Sequence, residues 1–384
     1  MRKILIVHNV YQQKGGEDSV VANEAALLRK FGNQVEVFLR HNDDIVGQSK
    51  ISLMSQAVYS KKSYSDISDK IKEFKPDIVH VHNTLPLVSP SVFWAAHHFK
   101  VAVVQTLHNF RLFCPQATFL RNGKICEDCL GKTPWRGILH RCYRQSFTQT
   151  AALTGVLLAH RALGTYRKKI DAFIALNSFS KTKYIQGGMR ADNIFIKPNF
   201  AEDWGLTTQP RAGFLYVGRL SVEKGARIFA AAFNAEQHGF LNIVGDGDER
   251  IYLENINHLS LLGALPQQNV RLLMQSCQAL VLPSICYENM PMTLVEAYSC
   301  GLPVIASRLG SLCHLVEDGV TGLLFNAGDA NDLAEKMSWA NAHPDSMAEM
   351  GRNARAKYLA EYTPEKNYEI LMNIYDEALL SCQK

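Results

Sequence analysis

Glu288 and Glu296 stand with seven residues between them in the run SICYENMPMTLVEAYSCG, residues 284–301. Glu288 falls in a loop after the apolar strand pattern Ala279–Leu282, and Pro291 opens a helical pattern at the first-turn position proline favours. A loop carboxylate beside the free N–H groups of a helix start makes a mixed site. The N–H groups suit phosphate and the carboxylates suit sugar hydroxyls. The plain alternative for Glu296 is a helix-surface acid, against which stand its apolar neighbours Met292, Leu294, Val295 and Ala297. A second group, Gly218-Arg219-Leu220-Ser221-Val222-Glu223-Lys224-Gly225, follows the strand pattern Phe214–Val217. Arg219 offers a planar fork and Lys224 a point charge, both matched to phosphate oxygens.

Four cysteines form a third group: Cys114-x11-Cys126-x2-Cys129-x12-Cys142. Cys126 and Cys129 make a tight knuckle flanked by arms of similar length, a spacing that suits a closed tetrahedral zinc held by four thiolates. His140 could replace one cysteine, and four reduced thiols in a small apolar knot are the competing reading. Because all four positions would be filled, such a zinc is structural rather than catalytic. The segment is rich in Lys and Arg and poor in long apolar runs, so a metal would substitute for a core. Cys277, Cys286, Cys300, Cys313 and Cys382 lie in apolar or helical contexts and read as reduced core residues. Gly15-Gly16 follows the first strand pattern, and His108 ends another. His8, His80 and His82 also sit at strand ends and read as structural or wall residues.

These groups need a scaffold that sets them at strand ends. Residues 3–10, KILIVHNV, form a near-continuous apolar run, the pattern of a buried parallel strand. A helix is expected over 20–31, ending at Gly32, and further strands over 35–39, 76–82, 101–107, 172–176 and 193–196. The pattern restarts at Gly213. Strands are expected over 214–217, 242–245, 261–263, 279–282 and 303–306, and helices over 226–233, 269–276 and 291–300. Strands alternating with helices imply two parallel, doubly wound sheets. The seam falls near 198–211, punctuated by Pro198, Gly205 and Pro210. Residues 364–384 read as one or two further helices. Ligands of such sheets bind at the carboxyl ends of strands, where the groups above fall.

The 384 residues are 47% hydrophobic and 20% charged, an ordinary globular composition for two domains that excludes disordered and collagen-like chains. No run of about 18 apolar residues offers a membrane-crossing helix. The opening residues turn polar too soon for a signal peptide. The expected location is cytoplasmic. Net charge is +5, unevenly spread: residues 100–190 hold 15 Lys and Arg against three acids, or +12, leaving −7 elsewhere. That basic segment suits a phosphate-rich partner or an anionic membrane surface. Within it, Leu153, Val156, Leu157 and His160 recur at helical spacing ahead of Tyr166-Arg167-Lys168-Lys169. A basic amphipathic face on anionic lipid and a plain interdomain core helix explain this stretch equally well.

Glu288-x7-Glu296, with Asn289, Pro291, Leu294, Ala297, Gly301, Pro303 and Val304, resembles the family 4 retaining glycosyltransferases of GT-B fold. So do the Gly218–Gly225 group, Val244-Gly245-Asp246-Gly247, Pro198-Asn199 and Gly319-x2-Gly322-Leu323-Leu324-Phe325, all in the family's order. The resemblance implies α/β architecture with two Rossmann-like domains facing each other across a cleft. Residues 1–200 would form the acceptor domain with the four-cysteine insertion at 111–145, residues 201–363 the nucleotide-sugar domain, and 364–384 a helix packing back on the first. It implies a sugar donor whose departing diphosphate meets Arg219 and Lys224. Glu296 would hold the ribose, and Glu288 would face the donor sugar. Asn289, Met290, Pro291 and Met292 would give backbone contacts, and Gly218 would line the phosphate loop. His108 takes the place of the family's cleft histidine, and Gly15 and Gly16 let backbone approach the diphosphate and acceptor. No cofactor is expected for the chemistry; the acceptor would be a glycan or lipid-linked glycan, in cell-surface polysaccharide assembly. His314 stands where the family often carries an acid. The rival readings are a zinc-containing nucleic-acid-binding protein and a dinucleotide-dependent oxidoreductase. The first does not explain two acids in its binding cleft, and the second lacks a third glycine after Gly245-Asp246-Gly247.

Overall fold

The computed structural model describes residues 1–12, 15–45, 47, 49–256 and 259–383. The loop expected across 12–18 includes Gln13 and Lys14, which lie outside the described residues, as does Lys384 at the end of the last predicted helix.

The chain divides into two units: residues 1–117, 127–197 and 368–384 in one, and residues 118–126 and 198–367 in the other. The first is built on a six-stranded parallel sheet of β1 (Lys3–Val10), β2 (Gln34–His41), β3 (Ile78–Val81), β4 (Ala102–Leu107), β7 (Ala172–Ala175) and β8 (Ile194–Ile196), in the order β2-β1-β3-β4-β7-β8. The short antiparallel hairpin β5 (Leu120–Arg121) and β6 (Lys124–Ile125) belongs to the second unit. That unit's own parallel sheet uses β9 (Phe214–Val217), β10 (Leu241–Val244), β11 (Ser260–Gly263), β12 (Ala279–Leu282), β13 (Val304–Ser307) and β14 (Gly322–Phe325), in the order β11-β10-β9-β12-β13-β14.

Both sheets bury their central strands on both faces, which is why those strands read as continuous apolar runs. In the first unit Ile4, Ile6, Ala102, Val104 and Ile174 share a core with Leu371, Ile374, Tyr375 and Ala378 of the last helix, Pro364–Cys382. Arg2 donates to the carbonyl of Met372 on the same helix. In the second unit Phe214, Tyr216, Phe229, Ile243 and Phe325 anchor the core.

Most elements lie within one or two residues of their expected bounds. The first helix is longer than expected, Gly16–Lys30, because Gly16 and Glu17 already belong to its first turn. The tail is one helix, not two. In each sheet the strand order reverses direction once, between β1 and β3 and between β9 and β12. Crevices at the carboxyl ends of such strand pairs are the usual ligand positions.

Candidate active site

In the second unit, β9 delivers Gly218 to Gly225 and β12 delivers Pro283 to Pro291 at one such switch point. The Lys224 Nζ lies 2.7 and 2.9 Å from the two carboxylate oxygens of Glu288. Ser284 donates to the same carboxylate at 2.6 Å, and Ser311 donates to the Glu288 backbone carbonyl at 2.6 Å. A cavity of about 30 Å³ lies here, lined among others by Gly218, Lys224, Glu288 and Thr293. Burial is the largest influence and would lower the Lys224 pKa, but the Glu288 charge, Cys286, the hydrogen bond to Glu288 and Glu223 together outweigh it and hold the ammonium above its ordinary value.

Glycines make this geometry possible. Gly225 has φ 74°, and a Cβ there would fall 1.9 Å from the Pro283 carbonyl. At Gly245, φ 134°, a Cβ would fall 1.9 Å from the Gly218 carbonyl. The Gly245-Asp246-Gly247 motif therefore serves close packing against the Gly218 loop, whose Leu220 N–H donates to the Asp246 carbonyl at 2.9 Å. Nothing in it requires a dinucleotide.

The helix Met292–Ser299 follows, with Pro291 at its N-cap and no side-chain cap. Its first N–H groups are left for a ligand or water. Glu296 lies on this helix, half-buried, accepting from Gln267 at 3.2 Å. Burial raises its carboxyl above the ordinary range, against the Gln267 bond. Asn289 and Met290 are buried. Asn199 of the Pro198-Asn199 pair donates its amide to the Met290 carbonyl at 2.9 Å, and so fixes the Glu288 loop from behind. Arg219 is exposed on the loop after β9, and the Tyr216 hydroxyl donates to its carbonyl at 2.6 Å. The structure thus joins Lys224 directly to Glu288, with Gly218 beside them, and leaves Arg219 and Glu296 out of that contact.

His108, Gly15 and Gly16 belong to the first unit. A Cβ on Gly15 would meet nothing within 4 Å, so its glycine is not demanded by packing within the protein. Asp18 accepts from the Gly15 N–H at 2.9 Å and pairs with His8 at 2.8 Å. His108 follows β4 directly, half-buried, its Nε2 2.9 Å from Nδ1 of His82. Behind it lies a polar cluster not foreseen as functional. Glu24, 0% exposed, contacts His80, His82 and Lys197, the last at 2.9 Å and 1% exposed. Glu24, His80 and His82 set their ligand atoms within 4.8 Å of one another, a spacing a metal could use. The Lys197 ammonium already occupies the second carboxylate oxygen, so the group is a salt-bridged polar core rather than a cation seat. The signal in the sequence was an acid on an apolar helix face: Glu24 lies between Val20 and Leu28 at four-residue steps.

Cys114, Cys129 and Cys142 belong to the first unit and Cys126 to the second. Cys114 and Cys129 are buried, Cys126 and Cys142 partly so. Residues 118–126, expected as part of an N-terminal insertion, group with the second unit. There Phe119 meets Tyr287 edge-on at 6.0 Å, and the Tyr287 N–H donates to the Thr118 carbonyl at 3.3 Å. This strip thus braces the loop that carries Glu288. The stretch read equally as lipid-facing or as core forms the helix Phe147–Ala162, and Leu153, Val156, Leu157 and His160 are all buried. Its stripe serves the interior. Among the described residues no helix is long and apolar enough to cross a membrane.

The family described as Glycosyltransferase Family 4 matches residues 14–202, and the family described as Glycosyl transferases group 1 matches residues 203–357. An uncharacterized glycosyltransferase of Methanocaldococcus jannaschii is 31% identical over 42% of this chain and 47% of its own length. The sulfoquinovosyl transferase of Arabidopsis thaliana is 25% identical over 85% of this chain and 64% of its own. The chain thus spans between about half and two thirds of the length of these two relatives. A crystal structure of Anabaena HepE in complex with UDP superposes with a TM-score of 0.69 at 18% identity, covering 98% of this chain and 100% of HepE.

Proposed function

Because this chain belongs to the family 4 glycosyltransferases and shares their GT-B fold, we propose that it moves a sugar from a nucleotide-sugar to an acceptor hydroxyl, with retention of anomeric configuration. One observation carries the reading. The Lys224 ammonium and the Glu288 carboxylate meet at the carboxyl edge of the second sheet, beside the uncapped helix Met292–Ser299. A departing diphosphate needs cations and N–H donors, and a sugar needs acceptors for its hydroxyls. Both needs are met within that short span. Lys224, Arg219 and the helix N–H groups would do the work of a divalent cation. The leaving phosphate oxygen would take the acceptor proton on the same face of the sugar, so that no enzymic nucleophile is needed. The acceptor we infer is a glycan or lipid-linked glycan, in cell-surface polysaccharide assembly.

The test is a thermal-shift panel of nucleotide-sugars in the presence of chelator, since a ligand that binds only the folded state raises its apparent stability. Stabilisation by one nucleotide class, followed by release of that nucleoside diphosphate on adding acceptor, is the expected result. No stabilisation by any member would remove the reading.

Glu296, as the ribose partner, would act in ground and transition states alike. Glu296→Ala is therefore expected to raise the dissociation constant of the stabilising donor by about tenfold, the loss of roughly one charged hydrogen bond. Titration calorimetry giving an unchanged constant would remove Glu296 from the ribose.

From their spacing, Cys114, Cys126, Cys129 and Cys142 would hold one structural zinc. The support is the spacing alone: among the described residues the group whose ligand atoms lie within 4.8 Å of one another is Glu24, His80 and His82, not the four thiols. Protein purified without chelator is expected to carry about one zinc per chain by elemental analysis, lost in Cys126→Ser. A zinc-free wild type would decide against it.

A further inference from the structure

Four residues of the first unit form a chain with a fixed direction: Lys197, Glu24, His82 and His108. Lys197 lies 2.9 Å from Glu24 Oε2, Glu24 Oε1 lies 3.2 Å from His82 Nε2, and His82 Nδ1 lies 2.9 Å from His108 Nε2. The rings of His82 and His108 lie 20° from parallel, with centroids 5.2 Å apart.

Hydrogen-bond chemistry allows one assignment of the protons. An ionised carboxylate only accepts, and an ammonium only donates. The Glu24 carboxyl is buried, which would raise its pKa, but Lys197, His80 and His82 outweigh this and hold it well below its ordinary value. His82 must therefore donate from Nε2. Burial, with the neighbouring His80, takes the His82 pKa down to about 4, so the ring is neutral and its Nδ1 carries only a lone pair. His108 must then donate from Nε2 to it. Burial, followed by His82 and His8, also holds His108 well below its ordinary value. Its Nδ1 is left bare. His80 satisfies the remaining demands, with Nε2 2.8 Å from Thr106 Oγ1 and Nδ1 within 2.9 Å of Glu24 and 2.8 Å of the Tyr375 hydroxyl.

We infer that Lys197, Glu24 and His82 are positioning residues that lock His108 as the Nε2–H tautomer, leaving Nδ1 to accept a hydrogen bond from a hydroxyl of the sugar substrate. The substrate class rests on the function proposed above; the tautomer does not. A histidine set this way serves as an acceptor for a neutral hydroxyl and cannot donate a proton to the leaving group. It would orient the sugar and leave protonation of the departing diphosphate to the acceptor hydroxyl.

The experiment uses the full chain labelled with ¹⁵N-histidine and long-range ¹H–¹⁵N correlation, with the His108 signals assigned by their loss in His108→Gln. The expected spectrum shows His108 with protonated Nε2 and bare Nδ1 from pH 8 to pH 6. The Nδ1–H form, or an imidazolium in that range, overturns the inference. A second arm uses Glu24→Gln/Lys197→Met, which removes both charges together so that neither is stranded. A carboxamide can donate where the carboxylate could only accept, so the single tautomer at His108 is expected to be lost. Its retention in the folded double variant overturns the relay; if the variant does not fold, the wild-type spectrum decides. Donor binding is measured on the same wild-type sample. The expected tautomer with no nucleotide-sugar bound would sink the proposed function and leave the relay standing. Donor binding with the opposite tautomer would do the reverse.

Discussion

Replacing Lys224 with alanine is expected to lower sugar transfer by on the order of 10²-fold or more, as loss of one preorganised charge-stabilising group does elsewhere. The preorganisation is visible in the chain. The turn Val222–Lys224 ends at Gly225, whose backbone is pressed against the Pro283 carbonyl so closely that no side chain fits. The turn is tied again by the Ile285 N–H donating to the Glu223 carbonyl at 3.0 Å. Under the proposed function, Lys224 would therefore meet a leaving diphosphate without first being ordered. Arg219→Ala is expected to fall in the same range, since its fork stands on the same loop. Glu288→Gln separates charge from shape: the carboxamide can still accept from Ser284, so folding should survive while transfer falls. Nucleoside diphosphate release is the readout, with melting temperatures as control. Unchanged turnover in Lys224→Ala and Arg219→Ala would take the loop out of the reaction.

Glu24→Ala should strike stability instead. It leaves the Lys197 ammonium, 1% exposed, without its carboxylate. Breaking a buried pair by removing one partner costs about 3–5 kcal/mol. For a unit of this size that corresponds to a fall in melting temperature of about 10 °C. The same cluster sets a pH dependence. Glu24 titrates below its unfolded range, so its contribution is present above about pH 4.3 and lost as pH falls through its folded value. His82, held down to about 4 by burial and then by His80, is neutral when folded but takes a proton below about pH 6.5 when unfolded. Both groups make the first unit less stable as pH drops. His82 alone accounts for roughly 2 kcal/mol between pH 6.5 and pH 5. Scanning calorimetry across that interval should show the wild-type transition moving down; a flat profile would mean that the ring is not held neutral.

Much of the scaffold was legible because the periods that define it are local. Runs such as KILIVHNV and ALVL report burial on both faces directly, and the restart at Gly213 marked the second sheet. The Gly218–Gly225 loop and the Glu288 segment were legible as types of residue at strand ends. That Lys224 and Glu288 touch was not, because 64 positions separate them and only the switch point between β9 and β12 brings them together. The same holds for Lys197 and Glu24, 173 positions apart. His80 and His82 looked like wall residues because a two-residue step shows which face they share, not what that face meets. The helix Phe147–Ala162 shows the opposite limit. Its apolar stripe has the same spacing whether lipid or protein covers it, and the burial of Leu153 and Leu157 settles it for protein.

The last helix carries a consequence for biosynthesis. Ile4 and Ile6 are made first, yet the core they enter is completed by Leu371, Ile374, Tyr375 and Ala378. At roughly 5–20 residues per second, the first sheet waits tens of seconds on the ribosome for its final layer. Residues 198–367 meanwhile contain a whole sheet and its helices, and can close without that delay. The order in which the two units can close therefore runs against the order of synthesis.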